Sequence, residues 1–176
     1  MSDKTRGIDF ATLSLRDALD LAVLIEEEAL ERYEELMDQL EQHRTPAAAR
    51  FFRSMARQEA KHAAKLAQRR RRLFGDEKCT VTRAMIFDIE APDYDSVRAF
   101  MSPRAALDTA LWAERKAGAF FAAAVPFVTD LEVRALFEEL RQVETEHERL
   151  VLAEIEKLPP ETKDDPDDYG DEPVGM

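Results

Sequence analysis

Cysteine is nearly missing from this sequence: Cys79 is the only one, which excludes an internal disulfide framework and a four-cysteine zinc or rubredoxin-type iron site. A lone thiol suits a reducing compartment, so the cytoplasm is the expected location. Glycine is scarce as well, at five residues, while Ala, Leu, Glu and Arg are abundant, a balance that favours helix over sheet. No long hydrophobic run exists either. The longest apolar stretch, AGAFFAAAVPFV (117–128), is too short to span a bilayer and contains Pro126; the opening MSDKTRGIDFATLS has no apolar core of signal-peptide length. No membrane association is therefore expected. Positive charge is in deficit, and a formal net charge of −12 argues against nucleic acid as the main partner while suiting the attraction of cations. The 176 residues, 45% of them hydrophobic, are enough for one domain with a sizeable core.

Helix-start chemistry occurs at four places. Ser14 is followed three residues on by Asp17; Thr45-Pro46 and Ser102-Pro103 each set a hydroxyl before a proline at a first helical position; Thr129-x-x-Glu132 has the pattern of a capping box. The runs that follow predict helices at 15–42, 46–73, 103–125 and 130–157. Lengths of roughly 40 Å, at 1.5 Å per residue, are those of a four-helix bundle, so the expected fold is all-α, a domain over 1–158 with an acidic extended tail at 159–176. The connection 74–102 is too long for a tight turn. Its segment DSVRAFM could add a short helix, and the whole link can run along the bundle so that the second and third helices are parallel. It could equally let hairpins exchange between two chains, giving a hairpin-swapped homodimer.

Apolar residues recur at steps of three and four along each helix, and each stripe is interrupted near its middle. The first stripe is Leu15, Leu19, Ala22, Leu30, Tyr33, Met37 and Leu40, with Glu26 in the gap. In the second, Phe52, Met55, Leu66 and Leu73 flank Glu59 and His62; in the third, Leu107, Leu111, Gly118, Phe121 and Val125 flank Glu114. The fourth, with Val133, Phe137, Leu140, Val151 and Leu158, is broken by Glu144 and His147. Six ionisable residues thus stand where packing alone would call for Leu or Ala. The halves also repeat: EEEALERY (26–33) lies over ERKAGAFF (114–121), and FRSMARQEAKH (52–62) over FEELRQVETEH (137–147), as in a duplicated helical hairpin.

Residues three apart on a helix share a face, so each Glu-x-x-His aims a carboxylate and an imidazole at one point. With one further Glu from each remaining helix, the set is four carboxylates and two imidazoles, whose charge balances two divalent cations. Burying those carboxylates without a cation would be costly unless they were protonated or hydrogen-bonded. Mixed oxygen and nitrogen donors without thiolate suit Fe²⁺ or Mn²⁺, and Zn²⁺ can also bind.

Over about residues 10–158 the sequence resembles the rubrerythrin-like branch of the ferritin-like di-iron superfamily, through IEEEALERY, ARQEAKH, SPRAALDTALWAERKAGAFF and FEELRQVETEH. The resemblance implies that Glu26, Glu59, His62, Glu114, Glu144 and His147 correspond to ligands of two iron ions, with Mn or Zn as substitutes, and that Glu59 and Glu144 bridge them. It also implies that Tyr33 lies beside the site and offers it a hydrogen bond. Two departures stand out. There is no four-cysteine rubredoxin module, so electrons would come from a separate donor. Peroxidase-type rubrerythrins carry an extra ligand Glu three residues after the third-helix Glu, and that position here is Ala117, with Ala29 as its counterpart. The first half also looks like ferritin-like domains fused to membrane iron transporters, but no membrane domain is expected here.

These features lead to an expected di-iron oxidoreductase that oxidises Fe²⁺ with O₂ or H₂O₂, in iron handling or oxidative-stress defence. The competing expectations are an iron-storage assembly and a helical interaction protein with a structural metal. His43 is expected to be solvated beside the first turn, and the run RRRR (69–72) to be a solvated helix end whose charge complements the dipole. Cys79 is expected to be an ordinary exposed thiol.

Overall fold

The structure is a computed structural model that describes residues 4–5, 8–42, 46–86, 89 and 102–159. His43, Thr45, the DSVRAFM segment and the acidic tail after Pro159 lie outside the described residues.

Ser14 caps the first long helix, α1 (Leu15–Gln42): its Oγ accepts from the Asp17 backbone N–H at 3.1 Å and donates to Asp17 Oδ2 at 2.8 Å, a reciprocal pair that satisfies two groups at once. The second, α2 (Pro46–Phe74), ends at Gly75, whose φ of 56° is the left-handed conformation favoured after a helix C-terminus; its N–H donates to the Arg71 carbonyl at 2.9 Å. One turn of helix, α3 (Arg83–Ile86), follows in the connection, then α4 (Pro103–Ala124), capped by Ser102 accepting from the Ala105 N–H at 3.1 Å. Where the 103–125 expectation ran on, Pro126 instead closes the chain into a 3-10 turn at Val125–Phe127. The last helix, α5 (Leu131–Ile155), is capped by Asp130, which accepts from the N–H groups of Glu132 and Val133. Thr129, the expected capping residue, instead donates its hydroxyl to the Ala11 carbonyl at 2.6 Å, tying the N-terminal segment to this end of the bundle.

That segment is the only extended structure among the described residues: β1 (Lys4–Thr5) pairs antiparallel with β2 (Ile8–Asp9), Lys4 opposite Asp9 and Thr5 opposite Ile8. Just beyond it Phe10 is fully buried, edge-on to Phe120 and Phe137 at centroid distances of 6.0 and 6.3 Å.

Two apolar clusters hold the helices. One gathers Leu19, Ile25, Leu66, Phe121, Phe137 and Leu140, with Ile86 and Ile89 of the connection. The other gathers Tyr33, Leu36, Phe52, Met55, Leu107 and Val151. Helices α1 and α5 run from the first cluster to the second, and α2 and α4 run back, so α2 and α4 are parallel. The hairpins α1–α2 and α4–α5 meet through α1 with α5 and through α2 with α4. Burying a large side chain of this kind stabilises by about 1.5–3 kcal/mol, which is why the interruption between the clusters needs its own compensation.

The arginine run is not uniformly solvated. Arg70 forms a fork with Asp20 of α1, Nε to Oδ1 at 2.7 Å and Nη2 to Oδ2 at 3.2 Å, with both side chains about a tenth exposed, and donates to the carbonyls of Gly75 and Glu77. Arg69 reaches Glu139 of α5 at 3.2 Å, and only Arg71 and Arg72 match the solvated expectation. Leu73, expected in the core stripe, is 48% exposed, because the helix end has passed the bundle by that turn. No helix among the described residues is long and apolar enough to cross a membrane. Cys79 is exposed, its thiol donating to the Val81 carbonyl.

Candidate metal centre

Between the two clusters lies a polar layer to which all four long helices contribute. Glu26 and Tyr33 come from α1, Glu59 and His62 from α2, Glu114 from α4, and Glu144 and His147 from α5. Glu26, Glu59, Glu114, Glu144 and His147 are all at most 2% exposed, while Glu27 and Glu28 are half-buried, so within IEEEAL it is Glu26 that turns inward. The His62 side chain, 21% exposed, is the one member of the set that reaches the surface.

His147 is the hub. Its Nδ1 lies 3.2 Å from Glu114 Oε2, 3.4 Å from Glu59 Oε1 and 3.7 Å from Glu144 Oε2. His62 stacks on it, centroids 5.1 Å apart, and presents its own Nδ1 to Glu26 Oε2 at 3.7 Å. Donor atoms of Glu59, His62 and His147 lie within 4.8 Å of one another, as do those of Glu114, Glu144 and His147. The six expected ligands are therefore brought together as two overlapping groups that share His147, with Glu26 alongside through His62. Tyr33 is fully buried, stacks on Phe52, and donates its hydroxyl to Glu114 Oε1.

The electrostatics follow from burial. Desolvation pushes the Glu26 carboxyl up to about 7, a hydrogen bond with Glu59 and the nearby His147 pulling the other way. Burial, reinforced by His147, Lys65 and Lys61, pushes His62 down to about 4, so its imidazole is neutral near pH 7. Burial also works against a charged His147, but the Glu114 hydrogen bond and charge outweigh it, and its pKa is raised.

These atoms fit a cation. Glu26 Oε2 and His62 Nδ1 are buried, face each other beyond hydrogen-bond reach, and have no hydrogen-bond partner among the described residues. A carboxylate oxygen and a neutral imidazole nitrogen repel unless a proton or a metal ion stands between them. Leaving such groups unsatisfied costs about 1–3 kcal/mol each. A cation bound by both removes that cost, and the mixed oxygen and nitrogen set suits Fe²⁺, Mn²⁺ or Zn²⁺.

Gly118 lies beside the site: a Cβ there would stand 3.4 Å from the Glu144 Cβ, at the short limit of ordinary van der Waals contact, so this turn of α4 packs directly on the turn of α5 that carries Glu144. The periodicity marked its face but not what it meets.

The Rubrerythrin family model matches residues 17–155, which takes in all six of these residues and Tyr33. The chain belongs to the rubrerythrin family. Among solved structures it is similar to an uncharacterized conserved protein from Magnetospirillum magnetotacticum, at 29% identity and a TM-score of 0.70, covering 85% of this chain and 99% of that one. No curated protein matches it. Ala117 and Ala29 are fully buried, and alanine brings no further carboxylate to the polar layer from either position.

Proposed function

We propose that this rubrerythrin-family chain is an oxidoreductase that binds two iron ions between its hairpins and oxidises them with O₂ or H₂O₂, in iron handling or oxidative-stress defence. The observation that carries this reading is the facing pair Glu26 Oε2 and His62 Nδ1, buried without hydrogen-bond partners beside three further inward carboxylates and His147. Glu26, Glu59, His62, Glu114, Glu144 and His147 would hold the ions. Bound iron would supply the one-electron redox chemistry, and manganese or zinc suit the same donors.

The chain's own residues do the rest. Tyr33 fixes one oxygen of Glu114 by donating a hydrogen bond, which leaves the other oxygen directed at His147. Burial pushes the Glu26 carboxyl up to about 7 in the metal-free site, so a cation bound there would displace a proton that Glu26 holds near neutral pH. The two apolar clusters exclude water above and below the polar layer. The partly exposed edge of His62 leaves a route for a small oxidant. Electrons would come from a separate donor. Alanine at positions 29 and 117 favours O₂-dependent oxidation over peroxide reduction by a site that exchanges carboxylates.

Anaerobic loading with Fe²⁺ followed by stopped-flow mixing with O₂ or H₂O₂ tests the proposal. Rapid growth of ferric absorbance that is faster with O₂ supports it. Oxidation no faster than in buffer with either oxidant overturns it.

A further inference from the structure

The chain carries 37 acidic residues against 25 lysines and arginines, so carboxylates outnumber the cations they can pair with. Arg16, Arg83, Arg104, Arg115, Arg141 and Arg149 each have such a partner. On α2 the pattern breaks. Arg50, Arg57, Lys61, Lys65 and Arg72 are exposed and have no ion-pair partner among the described residues. Lys65 and Arg72 share one helix face with Gln68 and Arg69, and these four line a surface cleft of about 370 Å³.

No carboxylate and no aromatic ring belongs to that lining. Arg69 gives one N–H to Glu139 at 3.2 Å, but the Glu139 side chain is 63% exposed, so water screens the pair and most of the guanidinium fork stays available. The helix dipole accounts for Arg71 and Arg72 in the last turn of α2. It does not account for Lys65, because the effect fades within that turn and Lys65 lies more than two turns before the end at Phe74. Like charges on adjacent turns repel unless something of opposite sign stands between them. An ammonium, two guanidinium forks and a neutral amide are a donor set that matches the oxygens of a tetrahedral oxyanion. A flat base or an acyl chain would find no aromatic or apolar wall in this cleft, which favours a small inorganic anion over a nucleotide or a lipid.

We infer that the α2 cleft formed by Lys65, Gln68, Arg69 and Arg72 is a binding site for inorganic phosphate. Lys65 follows His62 by three residues, about 4.5 Å along the helix axis. The site therefore begins one turn from the edge at which the polar layer reaches the surface. It uses no residue of that layer, so it stands or fails separately from metal binding.

A phosphorus NMR titration of the full chain as purified tests it. Phosphate should bind saturably with a dissociation constant of about 1 mM, the strength of a few exposed charged contacts. The double variant Lys65→Gln/Arg72→Gln should bind at least about fivefold more weakly. Both side chains are exposed, so the variant keeps the fold. Lys78→Gln, at an exposed lysine outside the lining, should match the parent. Binding should disappear at ~1 M salt, where the screening length is ~3 Å. Adenosine monophosphate should bind no more than about threefold more tightly than phosphate. No saturable binding up to about 20 mM phosphate overturns the inference. A smaller loss in the double variant also overturns it, the result expected if a metal ion takes the phosphate. An equal loss in Lys78→Gln does so too, because overall charge would then be the cause. Tighter binding of adenosine monophosphate than that limit assigns the cleft to a nucleotide instead.

Discussion

His62 and His147 lie face to face, their planes 8° from parallel and their centroids 5.1 Å apart, joining α2 of one hairpin to α5 of the other. The two rings are not equivalent. His147 belongs to both groups of closely spaced donor atoms and His62 to one. His62→Ala is therefore expected to leave one tight divalent site, and His147→Ala none. Calorimetric titration of the metal-free variants with Mn²⁺ checks the stoichiometries; equal losses would show that the overlap at His147 has no energetic meaning.

Tyr33→Phe removes the hydroxyl that donates to the fully buried Glu114. Because a buried acceptor deprived of its donor costs about 1–3 kcal/mol, the metal-free protein should lose stability by that order. Urea unfolding should show a lower midpoint with an unchanged slope.

The sign of the Glu26 effect is opposite to that of an ordinary paired carboxylate. Its folded pKa of about 7 lies above the usual 4.5, so between those values the folded state holds a proton that the unfolded state has released. Stability of the metal-free protein therefore falls as pH rises through this window. His62, pushed down to about 4, works the other way between about 4 and 6.5. Comparing Glu26→Gln with the parent isolates the first contribution. The variant should be more stable by about 1–3 kcal/mol at pH 8 and indistinguishable at pH 4.5, measured by urea unfolding without metal.

Asp20→Ala leaves Arg70 nearly buried without its fork partner, across the α1–α2 contact. Removing this partner should lower stability, although Arg70 keeps its hydrogen bonds to the carbonyls of Gly75 and Glu77. Thermal unfolding should detect a loss of several degrees while bound metal per folded chain stays unchanged, since the pair lies in the turns beyond the site.

How much of this was legible in the sequence depended on range. Helix starts and inward faces are local properties, so Ser14 and Ser102, the stripes and the gaps at Glu26, Glu59, Glu114 and Glu144 could be read directly, and with them the all-α fold and the family. Spacing does not say what a residue meets across the bundle. The burial of Phe10 under α4 and α5, the Asp20–Arg70 fork and the close pass at Gly118 all depend on partners distant in sequence. Thr129 carried the right local pattern for a cap, but Asp130 took the position because the Thr129 hydroxyl bonds to Ala11. The sharing of His147 by both donor groups was equally invisible, because the repeat suggested two symmetric halves.

Anaerobic equilibrium dialysis of the full chain against Fe²⁺, with bound iron counted by elemental mass spectrometry, tests the central claim most directly. Two ions per chain are expected, and at most one in a helical, folded Glu59→Leu/His62→Leu variant. A parent protein that retains no iron, or a variant that retains as much as the parent, would contradict it.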